Sequence, residues 1–162
     1  MKKVLKALLR LVIKVGIISA IVFAILTYVL GIYRATGNNM FPSIKDGDLC
    51  IMYKLEDYHM SDVVLYEHEG SMKIGRIVGI GGQEVNLPET GGYLINGYQP
   101  TEEITYQTYR GKITKYPMTV DEGSFFIMND FRSDTKDSRD YGVIDEGSIK
   151  GKLIFIVRRR NF

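Results

Sequence analysis

Apolar and polar positions divide this chain into two unlike parts. Val15 to Tyr33 reads VGIISAIVFAILTYVLGIY, nineteen residues without a charge, bounded by Lys14 and Arg34. As a helix at 1.5 Å per residue it spans roughly 28 Å, close to the ~30 Å hydrocarbon core of a bilayer. The pattern predicts a transmembrane helix over 15–33, with Tyr28 and Tyr33 at the outer interface. The run exceeds the ~7–15 apolar residues of a cleavable leader. No small-x-small cleavage pattern follows it, so an uncleaved anchor is expected.

Beyond Arg34 the period changes. Short runs rich in Val, Ile, Tyr and Phe alternate with Gly, Asn and Asp turns. Strands are predicted at 49–53, 62–67, 72–80, 93–95, 104–109, 124–128 and 152–158. Asn96-Gly97 is a hairpin signal, and Gly81-Gly82 and Gly91-Gly92 mark further turns. No long helical period follows residue 34. The expected architecture is mainly β: one antiparallel sheet domain over 34–162 behind a single N-terminal transmembrane helix.

Charge orients this arrangement. Residues 1–14 carry Lys2, Lys3, Lys6, Arg10 and Lys14 and no acid, leaving 16 basic against 19 acidic side chains in the rest. A basic tip before an apolar span is held in the cytoplasm, which places residues 34–162 outside the cell. The same asymmetry argues against a nucleic-acid partner. The 162 residues, 45% hydrophobic, suit one folded domain rather than a disordered chain. One cysteine excludes an internal disulfide framework and any multi-cysteine zinc site. With two histidines, His59 and His68, no metal centre is expected, and no motif calls for a cofactor.

Three segments carry candidate chemistry: GNNMFPSIKDGD at 37–48, MKIGRIVGIGG at 72–82 and FFIMNDFRSDTKDSRDYG at 125–142. Together, in this order behind an anchor, they resemble the type I signal peptidase family. Gly37, Met40, Pro42, Ser43, Gly47 and Asp48 fit its first box. Arg76, Val78 and Gly79 fit the second. Asp130, Arg132, Asp137, Ser138, Arg139 and Gly142 fit the third.

The departures fall on the catalytic positions. The family's serine nucleophile stands immediately before the first-box methionine, where this chain has Asn39. Its general-base lysine precedes the second-box arginine, where this chain has Gly75. A Ser/Lys dyad needs a hydroxyl to attack the carbonyl and a neutral amine to take its proton. Neither Asn39 nor Gly75 supplies one. The expectation drawn from this is a protein that is not an enzyme. The resemblance further implies a chaperone or scaffold of the kind that assists sortase-driven pilin polymerisation in Gram-positive cocci. Its partners would then be the membrane, a pilin or other secreted surface protein, and a sortase. Two alternatives stay open: an active peptidase with a relocated dyad, using Ser43 or Ser138 with Lys73, and an inactive regulatory subunit of a signal peptidase.

Met40, Phe41, Pro42 and Ser43 are candidates for lining a groove that takes an extended peptide by strand addition. Met40 to Pro42 are also placed to dip into the membrane interface. Asp137, Ser138 and Arg139 are expected to form a fold-holding polar network, since an Arg–carboxylate pair is directional. Lys73 reads most plainly as a solvated strand lysine. Arg158 to Arg160 form a basic tail suited to an anionic surface.

Overall fold

The computed structural model describes residues 2–55, 57–101, 106–113 and 115–158. The apolar N-terminal stretch forms helix α1, Lys2–Ala24, continued by a π-helical turn over Ile25–Val29. None of its most apolar stretch is covered by the rest of the protein. An apolar helix with no protein against it fits a membrane anchor, because a bilayer satisfies its side chains and the helix its own amides.

The helix does not keep the predicted limits. It begins within the basic tip, at Lys2, and ends at Val29 rather than Tyr33. Leu30–Arg34 forms strand β1, pairing antiparallel with β2, Leu49–Tyr53, from Leu30↔Tyr53 to Arg34↔Leu49. Those residues are apolar enough to continue the helix, but a strand partner fifteen to twenty-three residues away claims their backbone groups.

The remaining strands are β3 (Val63–His68), β4 (Ser71–Ile80), β5 (Glu84–Asn86), β6 (Leu94–Ile95), β7 (Met118–Thr119), β8 (Ser124–Met128), β9 (Ile144–Asp145) and β10 (Ile149–Val157). Seven build one antiparallel sheet in the order β1-β2-β10-β3-β4-β8-β9, and three build a small sheet β6-β5-β7. The mainly β reading therefore holds. The strand expected at 104–109 does not form where it is described: Tyr106–Tyr109 is irregular, and Ile104 and Thr105 lie outside the described residues. Helix α2, Ser138–Tyr141, is a single turn capped by the Asp137 carboxylate, which accepts from Arg139 N.

The core falls into three adjoining clusters. Met40, Ile44, Cys50, Met52 and Ile74 pack together under β1, β2 and β10. Val64, Tyr66, Ile77 and Ile127 pack beside them between β3, β4 and β8. Val85, Leu87, Phe126 and Met128 join the small sheet to the large one. The loop 35–48 is fastened by backbone bonds from Ala35 N to Asp48 O and from Gly47 N to Ala35 O. Buried Met40 and Ile44 seat that loop against Ile74, which brings the first sequence box to β4.

Candidate active site

Strand β8 pairs with β4 from Ile80↔Phe125 only as far as Arg76↔Met128. The first half of β4, Ser71 to Gly75, has β3 on one side and, among the described residues, no strand on the other. Its outward carbonyls are met by side chains instead. Tyr33 Oη donates to Met72 O at 3.2 Å, and Asn39 Nδ2 donates to Ile74 O at 2.9 Å. A cleft of about 170 Å³ opens beside this edge, lined by Tyr33, Asn39, Tyr66, Lys73, Asn129 and Lys136 among others.

All three sequence boxes meet here. Asn39 Nδ2 also donates to Asn129 Oδ1 at 3.1 Å, so one amide ties the first box to β4 and to the end of β8. Phe131 N donates to Asn39 O at 2.9 Å. Asn129 Nδ2 reaches on to Asp134 O at 3.3 Å, and Asn129 N donates to Asp137 Oδ2 at 2.8 Å. The amide pair sits where the resemblance places the nucleophile.

The general-base position is filled from the side. A β-carbon at Gly75 would meet Ile127 Cγ2 at 2.5 Å and Tyr66 Cε1 at 3.3 Å. Buried Tyr66 thus occupies the space beside a missing side chain. Its phenol is pushed far above the usual range, first by burial and then by the Asp137 charge, and stays neutral.

Beneath the cleft lies a polar framework. Arg139 and Asp137, both fully buried, share two hydrogen bonds: Nε to Oδ1 at 2.8 Å and Nη2 to Oδ2 at 2.6 Å. Arg139 also donates to the carbonyls of Arg132, Asp134 and Tyr109. Ser138 Oγ accepts the Ile127 N–H at 2.9 Å. Arg76 grips Asp130 through two bonds, at 2.7 and 2.5 Å, and donates to Ser61 O. These contacts fix the loop carrying Asn129 to Asp134 relative to β4.

The groove candidates separate. Met40 lines the cleft, although it is almost wholly buried, which leaves it no freedom to dip into the membrane interface. Phe41 turns to a different hollow, beside Asn38 and Phe131. Pro42 is exposed, and Ser43 is found by Arg158, whose Nη2 donates to Ser43 O at 3.3 Å. Arg159 and Arg160 lie outside the described residues. Lys73 lines the cleft, with its ammonium 5.3 Å from the Tyr141 ring centre. Sequence reasoning set Tyr33 at the membrane interface, whereas it lines the cleft, and gave Tyr66 and Asn129 no part in the site. Asn129 could have been found from its place beside third-box Asp130; Tyr33 and Tyr66 carry no local signal. Among the described residues no group of three or more His, Cys, Asp or Glu side chains is placed to hold a metal.

Comparison with known proteins addresses the chemistry. Residues 8–158 match the sequence profile described as signal peptidase, peptidase S26. The chain is 25% identical over 171 residues to signal peptidase IB of Staphylococcus aureus strain Mu50, covering 93% of this chain and 89% of that one. It is 27% identical over 158 residues to signal peptidase I of Bacillus licheniformis, covering 87% and 84%. The crystal structure of a signal peptidase I from Enterococcus faecalis V583 superposes with a TM-score of 0.51 at 22% identity, over 62% of this chain and 100% of that one, and shares its fold. These findings overturn the expectation that the chain is not an enzyme. The profile is that of an enzyme family, and the relatives matched along most of their length are named as peptidases. Asn39 and Gly75 remove one hydroxyl and one amine from two positions; they do not remove the chain from a family of peptidases. The chain belongs to the signal peptidase family, peptidase S26.

Proposed function

We propose that this chain handles exported polypeptides at the outer face of the membrane, as a chaperone or scaffold in sortase-dependent pilus assembly. The observation that supports this is the edge of β4 at Met72 to Ile74, which carries no strand among the described residues and borders the cleft. An extended segment of a pilin or another secreted surface protein would pair with that edge by strand addition, its alternate side chains entering the cleft. The basic tip holds the N-terminus in the cytoplasm, and the single span leaves the β domain outside, where exported chains and sortase meet.

The reading is tested with the full-length chain in detergent micelles and a labelled pilin-precursor segment, followed by fluorescence anisotropy. Strand addition uses the ligand's own amides. Peptides N-methylated at alternate residues should therefore bind in one register of methylation and fail in the other. Equal binding by both would remove the strand-addition reading. In cells, deletion of the protein should abolish high-molecular-weight pilin ladders in a wall-fraction immunoblot; unchanged ladders would remove the pilus role.

Family membership and the names of the relatives favour a second reading, signal-peptide hydrolysis in the same cleft. Of the relocated-dyad candidates, Ser138 is fully buried and holds the Ile127 amide, while Lys73 lines the cleft. Mass spectrometry of the incubated precursor separates the readings. A cleavage product lost in Lys73→Ala identifies hydrolysis and its base. Accumulation of many unprocessed precursors in the deletion strain points to general secretion.

A further inference from the structure

We infer that the cleft beside β4 selects a carboxylate in the polypeptide it holds, carried by an Asp or Glu side chain or by the ligand's C-terminus. The inference rests on the reading of the β4 edge at Met72 to Ile74 as a site of strand addition, and it names the chemistry that this site recognises.

The cleft is basic on a body that is not. Residues 15–162 hold 16 basic and 19 acidic side chains. The charged residues that line the cleft are Lys73, Lys136 and Asp134, two cations against one anion. Asp134 is turned to its own loop, where its Oδ1 accepts from Lys136 N at 3.1 Å. Asp137, beneath the cleft, is held by Arg139. Neither Lys73 nor Lys136 makes an ion pair among the described residues; the ammonium of Lys73 stands 5.3 Å from the Tyr141 ring centre. Two neutral donors lie beside these cations. Asn129 Nδ2 gives one hydrogen to Asp134 O and has a second to offer. Tyr66 lines the cleft although it is wholly buried, and among the described residues no group accepts its hydroxyl proton.

Strand register brings the ligand's side chain to these donors. Tyr66 on β3 pairs with Lys73 on β4, so the two side chains share one face of the sheet. A strand added to the other edge of β4 sets one of its residues opposite Lys73, with its side chain on that same face. An Asp or Glu at that place meets the Lys73 ammonium, with the Tyr66 phenol on the far side of it. The phenol keeps its proton, because burial raises its pKa far above the usual range, and it can only donate to an anion. A basic side chain there would face a like charge, and a neutral one would leave the ammonium without a counter-charge. The ligand is a polypeptide, so the anion it brings is a carboxylate.

The labelled pilin-precursor segment is prepared in two series, with Asp or with isosteric, neutral Asn placed at one position at a time and the C-terminus amidated. A further segment keeps a free C-terminus. Binding to the full-length chain in detergent micelles is followed by fluorescence anisotropy. At one position Asp is expected to bind about tenfold more tightly than Asn, the size of one charge-assisted hydrogen bond. A similar gain on freeing the C-terminus, with none along the segment, would assign the carboxylate to the chain end. Lys73→Gln should bring the preference close to one, and Tyr66→Phe should lower it; circular dichroism checks that both variants fold. Lys150→Gln removes the same charge from a lysine paired with Glu67 outside the cleft and should keep the preference. Equal binding of Asp and Asn at every position, and of both chain ends, would overturn carboxylate selection and leave strand addition standing. A preference that survives Lys73→Gln would overturn this cleft as its source. No binding by any segment would overturn strand addition and this inference with it.

Discussion

Gly75 on β4 and Ile127 on β8 come so close that a β-carbon on the first would lie 2.5 Å from Cγ2 of the second. Tyr66 closes the same space from β3. Gly75→Ala is therefore expected to destabilise the domain by ~1–3 kcal/mol through overpacking. Ile127→Ala in the same chain should recover part of that loss, because it removes the atom in the way. Urea denaturation of the two single variants and the double variant measures the coupling; strictly additive losses would show that the two positions do not compete for space.

The amide of Asn39 joins Ile74 O and Asn129 Oδ1. Asn39→Ala leaves both acceptors without this donor in a partly buried site and should cost about 1–2 kcal/mol. It should also loosen the β4 edge. Hydrogen exchange across 72–75 is predicted to quicken in Asn39→Ala while β2 and β10 keep their protection. Unchanged exchange there would mean that the amide does not hold the edge.

Removing one partner of a fully buried pair strands the other charge. Asp137→Ala leaves Arg139 in the interior and should cost roughly 3–5 kcal/mol. Asp130→Ala breaks a similar two-bond contact, but the Arg76 side chain keeps 22% of its surface in water, so a smaller loss is expected. Thermal unfolding of both variants should rank Asp137→Ala well below Asp130→Ala; the reverse order would contradict the burial argument.

Burial, followed by the nearby Asp48 charge, pushes the Cys50 thiol from 9.0 up to about 11. A thiol whose folded value is raised favours the neutral form. Its contribution to stability is complete below pH 9 and is lost as pH rises toward 11. The stability difference between the parent and Cys50→Ala should narrow across that interval. Buried Tyr66 and half-buried Tyr116, both raised from 10.0, lower the stability of both proteins at the alkaline end and so do not mask the comparison. At pH 8 the thiol of the folded protein should resist alkylation and react only on unfolding.

What the sequence determined by itself was local. An uncharged apolar run reads as a helix that fits a membrane anchor, because a spanning segment must satisfy its own backbone amides. Alternating Val, Ile and Tyr runs between Gly and Asn turns announce a sheet, and 49–53 and 124–128 were legible to the residue. The identities of residues 39 and 75 were legible too, since they require only a box and a count. The tertiary structure alone decided where the helix stops, because Leu30–Arg34 is claimed by a partner at 49–53. It decided that the space beside Gly75 is filled, by Tyr66 nine residues before it and Ile127 fifty-two after. It also decided that the pairing of β8 along β4 stops at Arg76↔Met128, so that the first half of β4 borders a cleft instead of β8. Each of these depends on atoms brought together across strands, and propensity or spacing along one segment carries no information about which distant segment will lie beside it.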